Sequence, residues 1–267
     1  MSATQEPATG FFERTEEHTY RPTAHASGAW DPGEQHFSPL GGLIVHAIDR
    51  YRAGQNDDGM LLGRISFDIL GRLAMDDCEI QVATIRPGRT IELIEATVSI
   101  AHRPVVRARA WYLASTETRA VAGGEPERLP SPDALASQSM TSVWPGGYIA
   151  SLDVRPVVPP QPGRGTAWIS TDVTLVAGEA AGPVASFVAL VDTANGIAVR
   201  QPPTEWMFPN LDLTIHLFRQ PAGRWTGLDT TVAFGPTGQG ITSTVLHDVT
   251  GSVGHAQQIL TVRPLTG

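Results

Sequence analysis

A pattern of one helix followed by four strands occurs twice along the chain, and this repeat restricts the fold more than any other feature. Residues 39–54 (PLGGLIVHAIDRYRAG) carry apolar side chains at helical spacing, and residues 182–196 (GPVASFVALVDTANG) do the same. A predicted strand precedes each helix. The order and the spacing of these elements agree between the two halves, which indicates an internal duplication. Few residues are identical between the halves, so the repeat is one of pattern.

The strand-like runs after each predicted helix are joined by short connections, which are typical of antiparallel neighbours. Residues 89–100 (RTIELIEATVSI) alternate apolar and polar side chains with little interruption. The runs cover residues 64–73, 78–88, 89–102 and 104–115 in the first half, and 210–219, 225–235, 239–249 and 254–262 in the second. The preceding strands are predicted at 18–26 and 166–178.

A proline-rich segment separates the two halves. Residues 116–165 hold eight of the 21 prolines, and proline favours extended connections over sheet interiors. We therefore predict a first module over residues 1–115, a linker or crossover over 116–165 and a second module over 166–267. The stretch SVWPGGYIASL within the linker is apolar enough to be ordered and packed.

Charge and composition exclude several classes of protein. The net charge of −8 argues against nucleic acid as a main partner, because phosphate neutralisation needs a basic surface. It argues less against a small phosphorylated ligand, which a few arginines can bind. No apolar run approaches the ~20 residues of a membrane span, and the polar, acidic N-terminus is unlike a secretion signal. We expect a cytoplasmic protein.

Missing residue types exclude several chemistries. The chain contains no lysine, so a Schiff-base, pyridoxal phosphate or P-loop lysine is impossible. Neither a G-x-S-x-G nor an H-E-x-x-H motif is present, and Cys78 is the only cysteine. The sequence therefore predicts no metal site and no cofactor.

The strand predicted at NLDLTIHLFRQPAGRW, which begins at Asn210, poses the central question. Asn210, Asp212, Thr214 and His216 alternate with leucine and isoleucine, so one face is polar and the other apolar. The polar face either meets water or lines a pocket. We expect its start to belong to a site, and we expect His216 at the far end to be structural or solvated.

Four segments carry a resemblance to a known family: GAWDPGEQHFSPLGGLIVHAI, VALVDTANG, FPNLDLTIHLFRQPAGRW and HDVTGSVGHAQQILTV. Together they resemble acyl-CoA thioesterase II-like proteins, particularly the actinobacterial members. The resemblance implies an α+β double hot-dog fold, in which two fused modules each wrap an antiparallel sheet around a central helix. It also implies hydrolysis of acyl-CoA to a free acid and CoA, in a homo-oligomer.

The same resemblance implies three catalytic residues. An acid at the end of the second helix corresponds to Asp192, a polar residue at the next strand to Asn210, and a glutamine on the last strand to Gln258. Asp192 has independent support, since a helix C-terminus and apolar neighbours both raise a carboxyl pKa. Asn210 departs from the better-known bacterial thioesterase II, which has threonine there. The water would attack directly, without a covalent intermediate.

Plainer interpretations of these residues stay open. Asp192 could be a solvated residue on the outer helix face, Asn210 could turn the chain after a proline, and Gln258 could lie on an exposed edge. Alternation allows only one of Gln257 and Gln258 to face the helix, and the register favours Gln258. Gly41 and Gly42 either admit the substrate to N–H donors at the first helix or let that helix pack closely.

Two rival functions compete with thioester hydrolysis. Asp31 and His36 have the D-x4-H spacing of hot-dog enoyl-CoA hydratases, although the Asn-Pro normally found inside that motif is absent. The other rival is an acyl-CoA or lipid-binding module with a degenerate site, which the Asn210 departure favours.

Overall fold

One large, mostly antiparallel sheet wraps around a few helices. The computed structural model describes residues 10–55 and 59–265. The strands are β1 Gly10–Arg14, β2 Thr19–Pro22, β3 Leu61–Ile69, β4 Cys78–Arg86, β5 Ile91–Ile100, β6 Arg103–Leu113, β7 Leu152–Pro156, β8 Arg164–Thr171, β9 Thr174–Val176, β10 Trp206–Met207, β11 Asp212–Leu217, β12 Thr226–Phe234, β13 Gln239–Asp248, β14 Gly251–Thr261 and β15 Arg263–Pro264. The helices are α1 Phe37–Ala53, α2 Gly147–Ala150, α3 Pro183–Val191 and α4 Ala194–Ile197.

The strand order shows the duplication directly. Thirteen strands follow the order β7-β8-β12-β13-β14-β11-β3-β6-β5-β4-β2-β1-β9. Read outwards from the β3–β11 pair, the two directions contain matching strands: β6, β5 and β4 on one side, and β14, β13 and β12 on the other. Ser66 faces Thr214 within the antiparallel β3–β11 pair, so the two modules share a single sheet. The predicted α+β double hot-dog fold is confirmed.

The long helices form the inner layer. In α1, the side chains of Leu40, Leu43, Ile44 and Ile48 are fully buried, which matches the helical spacing in the sequence. Helix α3 is shorter and almost wholly apolar, with Pro183 at a first-turn position. The two helices pack against each other inside the sheet.

Several predicted elements differ from the observed ones. The single strand expected at 166–178 is divided: β8 stays in the second module, whereas β9 crosses over and pairs in parallel with β1. The predicted strand at 18–26 corresponds to β2 followed by a short 3-10 turn, and β1 is an additional strand. Alternation cannot reveal such breaks, because the side-chain pattern continues through them.

The predicted linker contains regular structure. Residues 116–165 include α2, β7 and the start of β8, and Tyr148 within it is completely buried. The prediction that the N-terminus is not a secretion signal rests partly on residues 1–9, which lie outside the described residues. None of the helices within residues 10–55 and 59–265 has both the length and the apolarity to cross a bilayer.

Gly42 sets the approach of the two long helices. A Cβ at this position would lie 2.5 Å from the Ala189 Cβ and 2.7 Å from the Ala185 carbonyl oxygen, both on α3. A Cβ at Gly41 would meet nothing closer than the Phe37 ring, at 3.5 Å. Helix α1 begins at Phe37, so neither glycine lies at the helix start, where the substrate-binding prediction needed them. Of the two interpretations, these contacts support helix packing for Gly42, and a role of Gly41 and Gly42 in substrate binding stays a prediction.

We expect Gly42→Ala to lower the free energy of unfolding by about 1–3 kcal/mol, because the new methyl group overpacks the α1–α3 contact. Gly41→Ala is the matched control. Its methyl group has room, and the gain in helix propensity is expected to raise stability by roughly 0.5–1 kcal/mol. Urea denaturation of both variants measures the difference, and equal effects at the two positions would contradict this account of helix packing.

Candidate active site

Asp192 lies where the second long helix ends. Helix α3 stops at Val191, Asp192 is its C-cap residue, and the chain turns through Thr193 before α4 begins. The predicted single helix over 182–196 is therefore broken at the acidic residue. The Tyr148 hydroxyl lies 2.7 Å from the Thr193 hydroxyl and donates to the Ala189 carbonyl oxygen at 3.2 Å, which holds the turn in place.

Two amide side chains bind the same oxygen of Asp192. Asn210 Nδ2 donates to Asp192 Oδ1 at 2.8 Å, and Gln258 Nε2 donates to Oδ1 at 2.7 Å. Asn210 Nδ2 also contacts the Asp212 carbonyl oxygen at 3.0 Å. The structure thus brings together Asp192, Asn210 and Gln258, the three residues predicted to be catalytic.

Strand alternation explains the direction of Gln258 but not that of Asn210. On β14, Gln257 is exposed and Gln258 is only 2% exposed, as a period of two requires. Asn210 precedes β11, and Leu211 beside it is exposed although the sequence pattern assigns it to the apolar face. Because the alternation breaks before the strand starts, the Asn210 side chain is free to turn inward.

Burial dominates the electrostatics of Asp192. Its side chain is 7% exposed, and loss of water raises its pKa from 3.8 to about 6, although the amides of Asn210 and Gln258 act in the opposite direction. A carboxylate with a pKa near neutrality can accept a proton and return it within one reaction. The arrangement therefore suits a general base.

His36 approaches the other oxygen of this carboxylate. Its Nδ1 lies 3.9 Å from Asp192 Oδ2 and accepts the Ser38 N–H at 3.1 Å, which caps the start of α1. Burial lowers the His36 pKa to about 3, so the ring is neutral and its proton is on Nε2. The contact with Asp192 is therefore not an ion pair. Sequence reasoning considered His36 only as a hydratase residue and missed this position.

The predicted linker contributes to the site through Tyr148. Its ring lies against the His36 imidazole, with centroids 4.2 Å apart and an interplanar angle of 31°. The stacking fixes the imidazole, while the hydroxyl fixes the turn after Asp192. The apolar residues and glycines of SVWPGGYIASL were the sequence signal available for this segment. They indicate that the segment packs, but not that Tyr148 contacts His36.

A cavity of about 480 Å³ opens beside these residues. Asp192, Asn210 and His36 lie on its wall together with Phe37, the first residue of α1. Further lining comes from the aromatic residues Trp30 and Trp144 and from the charged residues Asp31, Glu34, Arg72 and Arg263. Gly41 and Gly42 do not line it. The cavity combines one buried carboxylate, several hydrogen-bonding groups and a partly aromatic wall.

The structure also shows the surroundings of Asp31 and His216, two other residues that the sequence analysis considered. Asp31 accepts the Gly33 N–H at 2.7 Å and pairs with Arg72 at 3.0 Å, so its carboxylate is already engaged. His216 is exposed and lies opposite Arg64 and His255 on the neighbouring strands, as expected for a solvated residue. Within residues 10–55 and 59–265, no three His, Cys, Asp or Glu side chains are grouped closely enough to bind a metal ion.

The fold places the chain in the class of double hot-dog proteins. The family model for the acyl-CoA thioesterase C-terminal domain matches residues 126–262, and the model for the N-terminal domain matches residues 26–113. The chain belongs to the acyl-CoA thioesterase family. No curated protein gives a significant match to the sequence.

Solved structures share the fold at low sequence identity. A hot-dog protein of unknown function from Alicyclobacillus acidocaldarius is 12% identical, with a TM-score of 0.70 and coverage of 96% of both chains. The tesB protein of Mycobacterium avium subspecies paratuberculosis is 14% identical, with a TM-score of 0.67 over 95% of this chain and 96% of its own. Acyl-CoA thioesterase II TesB2 from Mycobacterium marinum is 15% identical, with a TM-score of 0.64 over 96% and 97%. These likenesses show the fold alone.

We expect Asn210→Ala to raise the pKa of Asp192 by about one unit or more. A hydrogen bond to a charged group contributes roughly 1.5–3 kcal/mol, and the donor that favours the ionised form is lost. Carboxyl-carbon NMR titration measures the pKa. Asn210→Thr, which can still donate through its hydroxyl, is the control and should shift the pKa less. An unchanged pKa in Asn210→Ala would show that this hydrogen bond does not stabilise the carboxylate.

Proposed function

We propose that this protein hydrolyses acyl-CoA to a free acid and CoA, with Asp192 as the general base for direct attack by water. One observation carries the proposal: a buried carboxylate lies on the wall of a cavity, and two amide donors hold one of its oxygens. Those amides leave Oδ2 as the oxygen available to a water molecule. Membership of the acyl-CoA thioesterase family supports the same reaction.

The reaction needs no covalent bond to the enzyme. Asp192 takes a proton from water, and the water oxygen forms a bond to the thioester carbonyl carbon. The carbon–sulfur bond of the tetrahedral intermediate then breaks, and the departing thiolate takes the proton back from Asp192. A base with a pKa of about 6 can perform both transfers, because neither protonation state is strongly disfavoured near neutral pH.

Charge on the carbonyl oxygen requires donors, and the start of α1 offers them. The Phe37 N–H has no intrahelical acceptor because it belongs to the first residue of the helix, and the helix dipole favours negative charge there. Neutral His36 adds a second donor through Nε2–H. These groups take the role that the sequence analysis assigned to the N–H groups near Gly41 and Gly42.

The proposed substrate carries phosphates, and Arg263 on the cavity wall is a cationic side chain suited to phosphate oxygens. Arg72 also lines the cavity, but its guanidinium already pairs with Asp31 and Glu34. The hydratase alternative is weakened by the engagement of Asp31 with Arg72 and Gly33. A binding protein without activity is the other alternative, and the experiment below separates it from an enzyme.

Homo-oligomerisation and a cytoplasmic location stay predictions. The support for association is a row of exposed apolar side chains on the outer sheet face, where Leu113 of β6 pairs with Leu61 of β3 and Ile91 of β5. Sedimentation equilibrium tests the oligomeric state.

We expect Asp192→Asn to lower kcat/KM for acyl-CoA by about 10²–10⁴-fold, since a general base contributes on that scale. Thiol release, followed with a disulfide dye, measures turnover. Asp212→Asn is the control: Asp212 is a neighbouring carboxylate that accepts the Ile259 N–H and does not line the cavity, so near-normal turnover is expected. Full activity of Asp192→Asn would overturn the assignment of the base. Heat stabilisation by acyl-CoA without thiol release would identify a binding protein.

We expect kcat/KM of the native protein to rise about tenfold per pH unit below pH about 6 and to level off above it, because the base must be ionised.

Stability should change in the opposite direction. Between the unfolded pKa of 3.8 and the folded value of about 6, folded Asp192 retains a proton that the unfolded chain releases, so the free energy of unfolding falls as pH rises.

Asp192→Asn removes this ionisation and should be more stable than the native protein at neutral pH, by up to about 3 kcal/mol. The two proteins should be nearly equal in stability below pH 3.8. Thermal denaturation at both pH values measures the effect. A variant less stable at neutral pH would contradict the raised pKa.

A further inference from the structure

A second cavity lies directly beside the catalytic one. It has a volume of about 540 Å³ and is formed by the segment around residues 138–143, strands β7 and β8, and residues 197–203. Its wall is largely aliphatic, with Met140, Val154, Ile197 and Val199 among the contributors, and Arg200 is the one charged residue among the described residues that line it. A wall of this kind suits a hydrocarbon chain better than a polar group.

Trp144 and Gly196 belong to the walls of both cavities. The Trp144 Nε1–H donates to the Gly196 carbonyl oxygen at 3.0 Å, and the indole is 4% exposed. Its ring also packs edge-on against Trp30 and Phe208, with centroids 4.8 Å and 6.0 Å apart. The indole is therefore held firmly at the wall that the cavity of Asp192 and the aliphatic cavity share.

We propose that Trp144 determines acyl chain length: its indole closes the acyl site of the catalytic cavity, and the aliphatic cavity behind it is an extension that the native protein keeps shut. The inference depends on the proposed thioesterase function. It follows from the shared wall, since a chain that grows past Trp144 from the thioester carbon would enter the second cavity. The native protein therefore prefers acyl chains that end before the indole.

The experiment compares kcat/KM for butyryl-CoA, octanoyl-CoA and palmitoyl-CoA in the native protein, Trp144→Ala and Trp144→Phe. In Trp144→Ala the ratio of kcat/KM for palmitoyl-CoA to kcat/KM for butyryl-CoA should rise about tenfold or more. Without the indole, the additional methylene groups of the longer chain can move from water into the apolar cavity. Trp144→Phe loses the hydrogen bond to Gly196 but keeps an aromatic ring, so it should shift the ratio less. Trp144→Leu replaces the alanine variant if thermal melting shows that the latter does not fold.

A double variant locates the added chain. Val199 lies on the second cavity and not on the catalytic one, so Val199→Phe should fill the extension. Combined with Trp144→Ala, it should reverse most of the gain with palmitoyl-CoA. An unchanged preference in folded Trp144→Ala, or a gain that Val199→Phe does not reverse, would overturn the role of Trp144.

Failure of the proposed function would look different. If the native protein releases no thiol from any of the three substrates, acyl-CoA hydrolysis itself is wrong. Binding then tests the partition alone: the shift in melting temperature caused by palmitoyl-CoA, relative to butyryl-CoA, should be larger in Trp144→Ala than in the native protein. Equal relative shifts in the two proteins would reject the partition as well.

Discussion

The pairing of β3 with β11 is the interaction on which the site depends, because it joins two copies of one unit into a single sheet. With the strands in matching order on either side of this pair, the two long helices lie inside the same curved surface. Gly42 lets them approach until the backbone of α1 nearly contacts Ala185 and Ala189. That packing brings the start of α1, with His36, to the end of α3, with Asp192.

Asp192 occupies a position that folding alone would not favour. A carboxylate that is largely buried at a helix C-terminus is disfavoured by the helix dipole and by the loss of most of its hydration. Asn210 and Gln258 offset part of this cost by donating to one oxygen. Because these hydrogen bonds do not fully offset the effect of burial, the pKa of Asp192 stays raised, and a raised pKa is the property that a general base needs. Local conflict of this kind is typical of functional sites.

Much of the architecture could be predicted from periodicity. The repeat of one helix and four strands predicted the fold, and alternation along β14 correctly predicted that the Gln258 side chain points inward. Asp192 was found through the family resemblance and its place in the sequence of α3. These features depend on local pattern, which a sequence displays directly.

Other features depend on contacts between distant segments and left little trace in the sequence. The crossing of β9 to β1 occurs within a stretch whose side-chain pattern continues without interruption, and the inward turn of Asn210 occurs just before β11 begins. Tyr148 reaches the site from a segment that composition described as a linker. Gly42 could equally have served a ligand or a helix contact, and only the position of Ala189 distinguishes the two.

The mirrored sheet also reveals how far the two copies have diverged. Ser66 of β3 pairs with Arg109 of β6, and Thr214 of β11 pairs with Gln257 of β14. If Ser66 and Thr214 occupy equivalent positions, Arg109 is equivalent to Gln257. The next residues along these two strands, Ala110 and Gln258, are then equivalent as well. Ala110 is fully buried and offers a methyl group where the second copy offers an amide. Because the two copies lie in one chain, this equivalent position can carry different residues: a glutamine that donates to Asp192 in the second half and an alanine that packs in the core of the first.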